Sequence, residues 1–166
     1  MALIEPRTAL SLASVLLTLA AAPVASSPSL ADSGKARERT QATTRILDGR
    51  SASRILANKG LTLQWIDWGR RGNARVSREG GLWKLRGRQE QTNGPGRLAM
   101  DGTIEEIGTD YFVFRGRISI TDTPDAGRSC SVDKTWRFAI TQNRSYYRLR
   151  EFEWCDDLTD YIDLYF

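Results

Sequence analysis

The chain has 166 residues, 24 Lys and Arg against 20 Asp and Glu, two cysteines and no histidine. One domain is the expectation at that length. The lack of histidine excludes a Ser–His or Cys–His catalytic pair, and two cysteines alone cannot close a structural zinc site.

Residues 1–31 read as a secretory signal. Met1 to Arg7 is a short leader, Thr8 to Ala25 is almost wholly Ala, Leu, Val, Ser and Thr, and Ser29-Leu30-Ala31 supplies the small residues a signal peptidase reads. Cleavage is expected after Ala31, with Ser26 the alternative site and retention as a membrane anchor the further alternative. Residues 32–59 read as a disordered arm plus a short helix. The arm, Asp32 to Thr44, is polar and lacks aromatic residues. The helix runs from Ser51 to Asn58, with Ser51 as N-cap, Ile55 and Leu56 as its apolar face and Gly60 just beyond its end. Its expected role is to brace one end of a sheet.

From residue 60 to 166 the apolar period is two, which is the period of strands. Leu61, Leu63 and Trp65 alternate with polar residues, and Gly69 to Gly72 turns the chain into a short strand around Ala74 and Val76. Glu79-Gly80-Gly81 turns it into a third, with Trp83 and Leu85 on one face and Lys84, Arg86 and Arg88 on the other. A fourth strand puts Leu98, Met100 and Ile104 inward, and a fifth puts Phe112, Phe114, Ile118 and Ile120 there. A long loop from Asp122 to Ser131 follows. The sixth strand carries Trp136, Phe138 and Ile140, the seventh Tyr147 and Leu149, and the last runs from Leu158 to Phe166. Eight strands joined mostly by short links form an antiparallel meander. Closure removes its exposed edges. The expected fold is therefore an all-β, eight-stranded antiparallel up-and-down barrel, or a strongly curled meander, with a short N-terminal helix.

Gly87, Gly102 and Gly116 share the inward parity. Folding at Asn93-Gly94-Pro95-Gly96 and at Gly108-Thr109-Asp110 sets the three side by side, a row that permits strong coiling. The same registers set Lys84 opposite Glu105 and place Asp101 between Arg88 and Arg117. A long loop centred on Ala126 sets Trp136 opposite Gly116. Cys130 and Cys155 fall at one end of the hairpin that turns at Asn143-Arg144, so they are expected to form a disulfide, which agrees with export.

Charge is split along the chain. Residues 32–100 carry +9 and residues 101–166 carry −5. Such a split marks either recognition of an acidic partner or strand pairing between the halves. The register pairs favour the second.

Few residues suggest chemistry. Glu105 and Glu106 are adjacent on a strand and point to opposite faces. Asp156, Asp157, Asp160 and Asp163 match no standard calcium loop, and Asp160 shares the face of Leu158, Ile162 and Leu164, so it needs a partner such as an arginine. No enzyme activity, catalytic residue, cofactor or metal is expected. Gly81-Leu82-Trp83 resembles the Gly-x-Trp of lipocalin-type barrels, but there it lies on the first strand and here on the third. The chain's end, with Leu158, Ile162, Leu164 and Phe166, resembles the C-terminal strand of small outer-membrane barrels. Such barrels face lipid with unbroken apolar bands, and Gln89 and Glu106 interrupt two of the faces here.

The expected function is that of an exported binding module, periplasmic or secreted, for a small apolar molecule or a protein partner. Trp65, Trp83, Trp136 and Tyr147 are the candidate ligand-binding residues at the barrel mouth. An inhibitor of an exported hydrolase, acting through the arm at residues 32–50, is the alternative. Neither nucleic acid nor membrane insertion after signal cleavage is expected.

Overall fold

The structure is a computed structural model that describes residues 43–166. The signal expected at residues 1–31 and the arm as far as residue 42 lie outside the described residues. The elements in chain order are β1 (Arg45–Ile46), α1 (Gly49–Leu56), β2 (Leu61–Leu63), β3 (Asn73–Glu79), β4 (Leu82–Glu90), β5 (Arg97–Gly108), β6 (Tyr111–Thr121), β7 (Ser129–Ala139), β8 (Tyr146–Leu149) and β9 (Ile162–Tyr165). Eight of the strands form one antiparallel sheet in the order β2-β9-β8-β7-β6-β5-β4-β3.

The two ends of that sheet meet at one bridge. Leu61 N–H donates to the Gly72 carbonyl at 3.2 Å, and Gly72 N–H donates to the Leu61 carbonyl at 2.8 Å. The sheet is thus nearly closed into a barrel. Beside the bridge, a side chain does the work of a strand. Gln89 is buried; its Oε1 accepts from Leu63 N–H at 2.7 Å, and its Nε2 donates to the carbonyls of Asp67 and Arg70. A polar residue in an apolar row is stable here because its amide is satisfied.

The alternation that produces the strands also produces the core. Trp83, Leu85, Leu98, Ile104, Phe112, Phe114, Ile118, Ile120, Trp136, Phe138, Tyr147 and Leu149 all point inward and are buried. The outer face carries the charges. One row, Arg75, Arg86, Asp101, Arg117 and Asp133, crosses five strands in register with every member exposed. Apolar inside and charged outside is the reverse of the pattern of a lipid-spanning barrel.

The glycine row is partly as expected. Gly102 lies opposite Gly116, but Gly87 lies opposite Met100, two residues from the expected partner. The cause is the turn. Gln91 N–H donates to the Gly96 carbonyl at 2.8 Å and Gly96 N–H returns to Gln91 Oε1 at 3.2 Å, which shifts the fold point towards Asn93. The charge pairs move with it. Lys84 faces Thr103 and ion-pairs with Glu79, while Asp101 sits between Arg86 and Arg117, not Arg88 and Arg117. Gly87 instead makes room for Leu61, the residue of the closing bridge: a β-carbon there would strike Leu61 Cδ2.

The long loop closes through Asp122 N–H to the Arg128 carbonyl at 2.8 Å, centring it on Asp125. Trp136 therefore lies opposite Phe114, and its Nε1 reaches diagonally to the Gly116 carbonyl at 2.8 Å. The last strand is shorter than expected, Ile162–Tyr165 instead of 158–166, because residues 150–161 leave the sheet to fold over β7.

The helix starts two residues earlier than expected. Asp48 is the N-cap, its carboxylate accepting from Ser51 N–H at 2.6 Å, so Ser51 sits in the first turn. Ser51 Oγ in turn accepts from Asp110 N–H, and Arg54 pairs with Asp110, which fastens the helix over the β5–β6 turn. Residues 43–47, assigned in part to the arm, are built into the barrel. Arg45–Ile46 pairs in parallel with β5, and the buried Thr44 hydroxyl bridges the Ile104 carbonyl and Trp83 N–H at 2.6 and 2.8 Å.

Candidate functional site

Two groups of residues stand out once the fold is set. The first is at the barrel end formed by the loops after β2, β6 and β8. The Arg128 side chain is 4% exposed and forms paired hydrogen bonds with both Asp156 and Asp160, at 2.8 to 3.0 Å. Asp160 is fully buried and also accepts from Trp65 Nε1 at 3.0 Å. Thr123 accepts from Arg128 through its carbonyl and donates its hydroxyl to the Trp65 carbonyl at 2.9 Å. The inward carboxylate thus has its arginine.

Beside this network lies the Cys130–Cys155 disulfide, with Cα atoms 6.0 Å apart. The hydrogen bonds from Arg128 hold the Asp156 carboxyl below the usual carboxylate range, and the two carboxylates raise the Arg128 pKa in return. Arg128, Asp156, Asp160, Thr123 and Trp65 are joined by hydrogen bonds within the protein. Cys130, Cys155 and Asp156 lie close enough together to suggest a metal, but the two sulfurs are bonded to each other. This end is a structural knot.

The side chains proposed for the barrel mouth occupy the interior. Trp136 and Tyr147 are fully buried, Trp83 is 5% exposed, and Trp65 is half-buried against Asp160. Trp136 packs edge-on against Trp154 and Tyr147 against Phe112. Burial raises the Tyr147 pKa, and its hydroxyl has no hydrogen-bond partner among the described residues. The four do not line one opening.

The second group is on the outside, where β3 and β4 meet the loop after β2. A groove of about 390 Å³ is lined by Arg70, Arg71, Asn73, Arg88, Gln91 and Thr92, among others. A second, of about 420 Å³, continues from it along the strands past Arg75, Arg86 and Met100. Asn73 and Arg88 belong to both.

Both walls of the first groove are fixed. Asp67 accepts from Thr92 N–H at 3.0 Å and from its hydroxyl at 2.6 Å, which holds the Asp67 carboxyl below its usual range. Gln89 grips the same loop from below. Trp68, in that loop, is 52% exposed.

Five arginines, Arg70, Arg71, Arg75, Arg86 and Arg88, line the two grooves against two carboxylates, Glu90 and Asp101. Arg75 lies directly opposite Arg86, an arrangement that costs stability because like charges across a sheet repel. Arg86 leans towards Asp101 at 3.1 Å, and Arg88 is 3.9 Å from Glu90. Among the described residues no carboxylate forms an ion pair with Arg70, Arg71 or Arg75. The charge split visible in the sequence is therefore only partly absorbed by pairing between the halves, through Arg45–Glu106, Arg54–Asp110 and Arg86–Asp101. The sequence signal for this surface was the basic excess before residue 100. What hid it was the register expected from the sequence, two residues off, which set Arg88 beside Asp101 and Lys84 opposite Glu105.

Residues 43–166 match the PM1083 family. A similar protein, from Pasteurella multocida (strain Pm70) and described as "Uncharacterized protein PM1083", is 31% identical over 116 residues, covering 69% of this chain and 74% of its own. No solved structure matches.

Proposed function

The chain belongs to the PM1083 family, and we propose that it is an exported binding module that recognises an acidic partner through the arginine-lined grooves outside its barrel. The observation that carries this reading is the Arg75–Arg86 apposition beside Arg70, Arg71 and Arg88. A fold keeps apposed arginines in a fixed groove, three of them (Arg70, Arg71 and Arg75) in no ion pair among the described residues, when something anionic fills it. Guanidinium groups suit that task because they grip carboxylate and phosphate with two parallel hydrogen bonds. The disulfide supports export, since such bonds persist in oxidising compartments. No helix among the described residues is long and apolar enough to cross a membrane. The interior is occupied by the molecule's own side chains, which favours the outer surface over a cavity.

The test compares two double variants of equal net charge on an anionic matrix. Arg75→Gln/Arg88→Gln removes groove cations. Arg50→Gln/Arg137→Gln removes exposed cations elsewhere. The groove variant is expected to elute at clearly lower salt than the control. Identical elution of the two would show that retention is mere net charge. Release of the protein by osmotic shock without detergent checks the compartment.

A further inference from the structure

We infer that the partner is an acidic polysaccharide, an assignment that rests on the basic grooves being the binding site. Three features of the surface select it. The first is shape. The two grooves share Asn73 and Arg88 and together take in residues of β3, β4 and β5, a spread that suits an extended chain more than a compact small molecule. Their cations come in tiers: Arg75 with Arg86, then Arg88 beside Asn73, then Arg70 and Arg71 past the strand end. Successive tiers on a strand are two residues, hence about 7 Å, apart, so the surface offers a repeating positive charge to a polymer that repeats its negative charge.

The second feature is the neutral part of the lining. Asn73, Gln91 and Thr92 stand between the arginines. Amides and hydroxyls both donate and accept, which is what sugar hydroxyls require. The Thr92 hydroxyl proton and Gln91 Oε1 are engaged with Asp67 and Gly96, which leaves the Asn73 amide and Gln91 Nε2 for that task. The first groove has no large apolar side chain in its lining. A peptide partner draws most of its binding energy from aromatic and aliphatic anchors seated in pockets, and none is provided there.

The third feature is Trp68. It is exposed two residues before Arg70, in the loop that Asp67 and Gln89 pin to the groove wall. An exposed flat ring in this loop gives the C–H face of a sugar a surface to lie on. Single-stranded nucleic acid takes several stacking platforms in succession along a basic groove, whereas the residues lining these two grooves include no aromatic ring. The loop is held before any ligand arrives, so little ordering cost is left for binding.

The probes are a polyuronate, inorganic polyphosphate, polyglutamate and a single-stranded oligonucleotide, each titrated against the full chain in moderate salt. The polyuronate is expected to bind tightest, and its affinity to fall steeply as salt rises. Arg75→Gln/Arg88→Gln should weaken it by about tenfold or more, as loss of hydrogen bonds to charged groups implies. Trp68→Ala should weaken polyuronate binding and leave polyphosphate binding unchanged. If polyphosphate, polyglutamate or the oligonucleotide binds tightest and depends on Arg75 and Arg88, the carbohydrate assignment falls and the basic site stands. Unchanged polyuronate affinity in Trp68→Ala also overturns the assignment. If binding of every probe ignores Arg75 and Arg88, the site itself falls with it.

Discussion

Gly116 has no side chain because its surroundings leave no room for one. A β-carbon there would overlap the Asp101 carbonyl oxygen, Gly102 Cα and the Phe114 ring, and two of those three are backbone and cannot move aside. Gly116→Val should therefore cost at least about 2 kcal/mol, at or beyond the ordinary range for overpacking a core. Gly69→Ala is the matched control, since nothing lies within 4 Å of its β-carbon, and it should change stability by less than about 0.5 kcal/mol. Denaturant midpoints of the two variants decide this; equal midpoints would mean the glycine pair is not a bend line.

Arg128 works the other way, through charge. Arg128→Met leaves Asp160 buried without its partner, and removing one member of a buried pair costs about 3–5 kcal/mol. The Asp156 half of the network also sets a pH dependence. Its folded pKa lies below the unfolded value, so its stabilisation is complete above that unfolded value, about 3.9, and is lost as pH falls through the folded one. Thermal melts of the protein and of Asp156→Asn should diverge near neutral pH and converge in acid. A constant gap at every pH would mean that Asp156 contributes through packing alone.

At the scale of elements, what could be read from the chain was whatever repeats. Period-two alternation from Leu61 to Leu149 located the strands and assigned their inward faces correctly, and the parity of the three glycines was right. The register at the first turn was off by two because two residues preserve parity. The Gln91–Gly96 hydrogen bonds, which carry no period, choose between fold points that bury the same residues. Side chains that substitute for backbone were likewise illegible. Gln89 looked like an interruption of an apolar face, yet it fills the gap where β2 and β3 separate.

Thr44 looked like the tail of a polar arm. Its hydroxyl instead serves Trp83 N–H and the Ile104 carbonyl, next to the irregularity between Ile104 and Glu106 in the β5–β6 pairing. A lone threonine carries no period, so no pattern could announce it. Thr44→Val keeps the shape and removes both hydrogen bonds, leaving the Trp83 N–H buried without a partner. The expected cost is about 1–3 kcal/mol. Amide exchange should show Trp83 losing protection before the rest of β4. Protection unchanged at Trp83 would mean that residues 43–47 rest on the barrel without securing it.

For the molecule as a whole, the weak places are the seam and the stretch where residues 150–161 leave the sheet. The seam has one backbone bridge reinforced by Gln89. The departing stretch has two fasteners at the same end of the barrel, the disulfide and the Arg128 network, both of which join the start of β7 to residues 155–160. On the chain-entropy estimate, a bridge closing a loop of that length stabilises by about 3–4 kcal/mol. Replacing both cysteines by alanine should lower the unfolding free energy from denaturant titration by that amount while Arg128 still holds the end. Because the two fasteners constrain the same segment, their losses should not add. Once Arg128→Met has freed residues 156–160, the disulfide has less native structure left to protect. Combining Arg128→Met with Cys130→Ala/Cys155→Ala should therefore cost measurably less than the sum of the separate effects. Strict additivity would show that the two act on independent parts of the barrel. In that case the end near Trp65 and Asp160 would be secured from the β2 side, by the Trp65 and Thr123 hydrogen bonds.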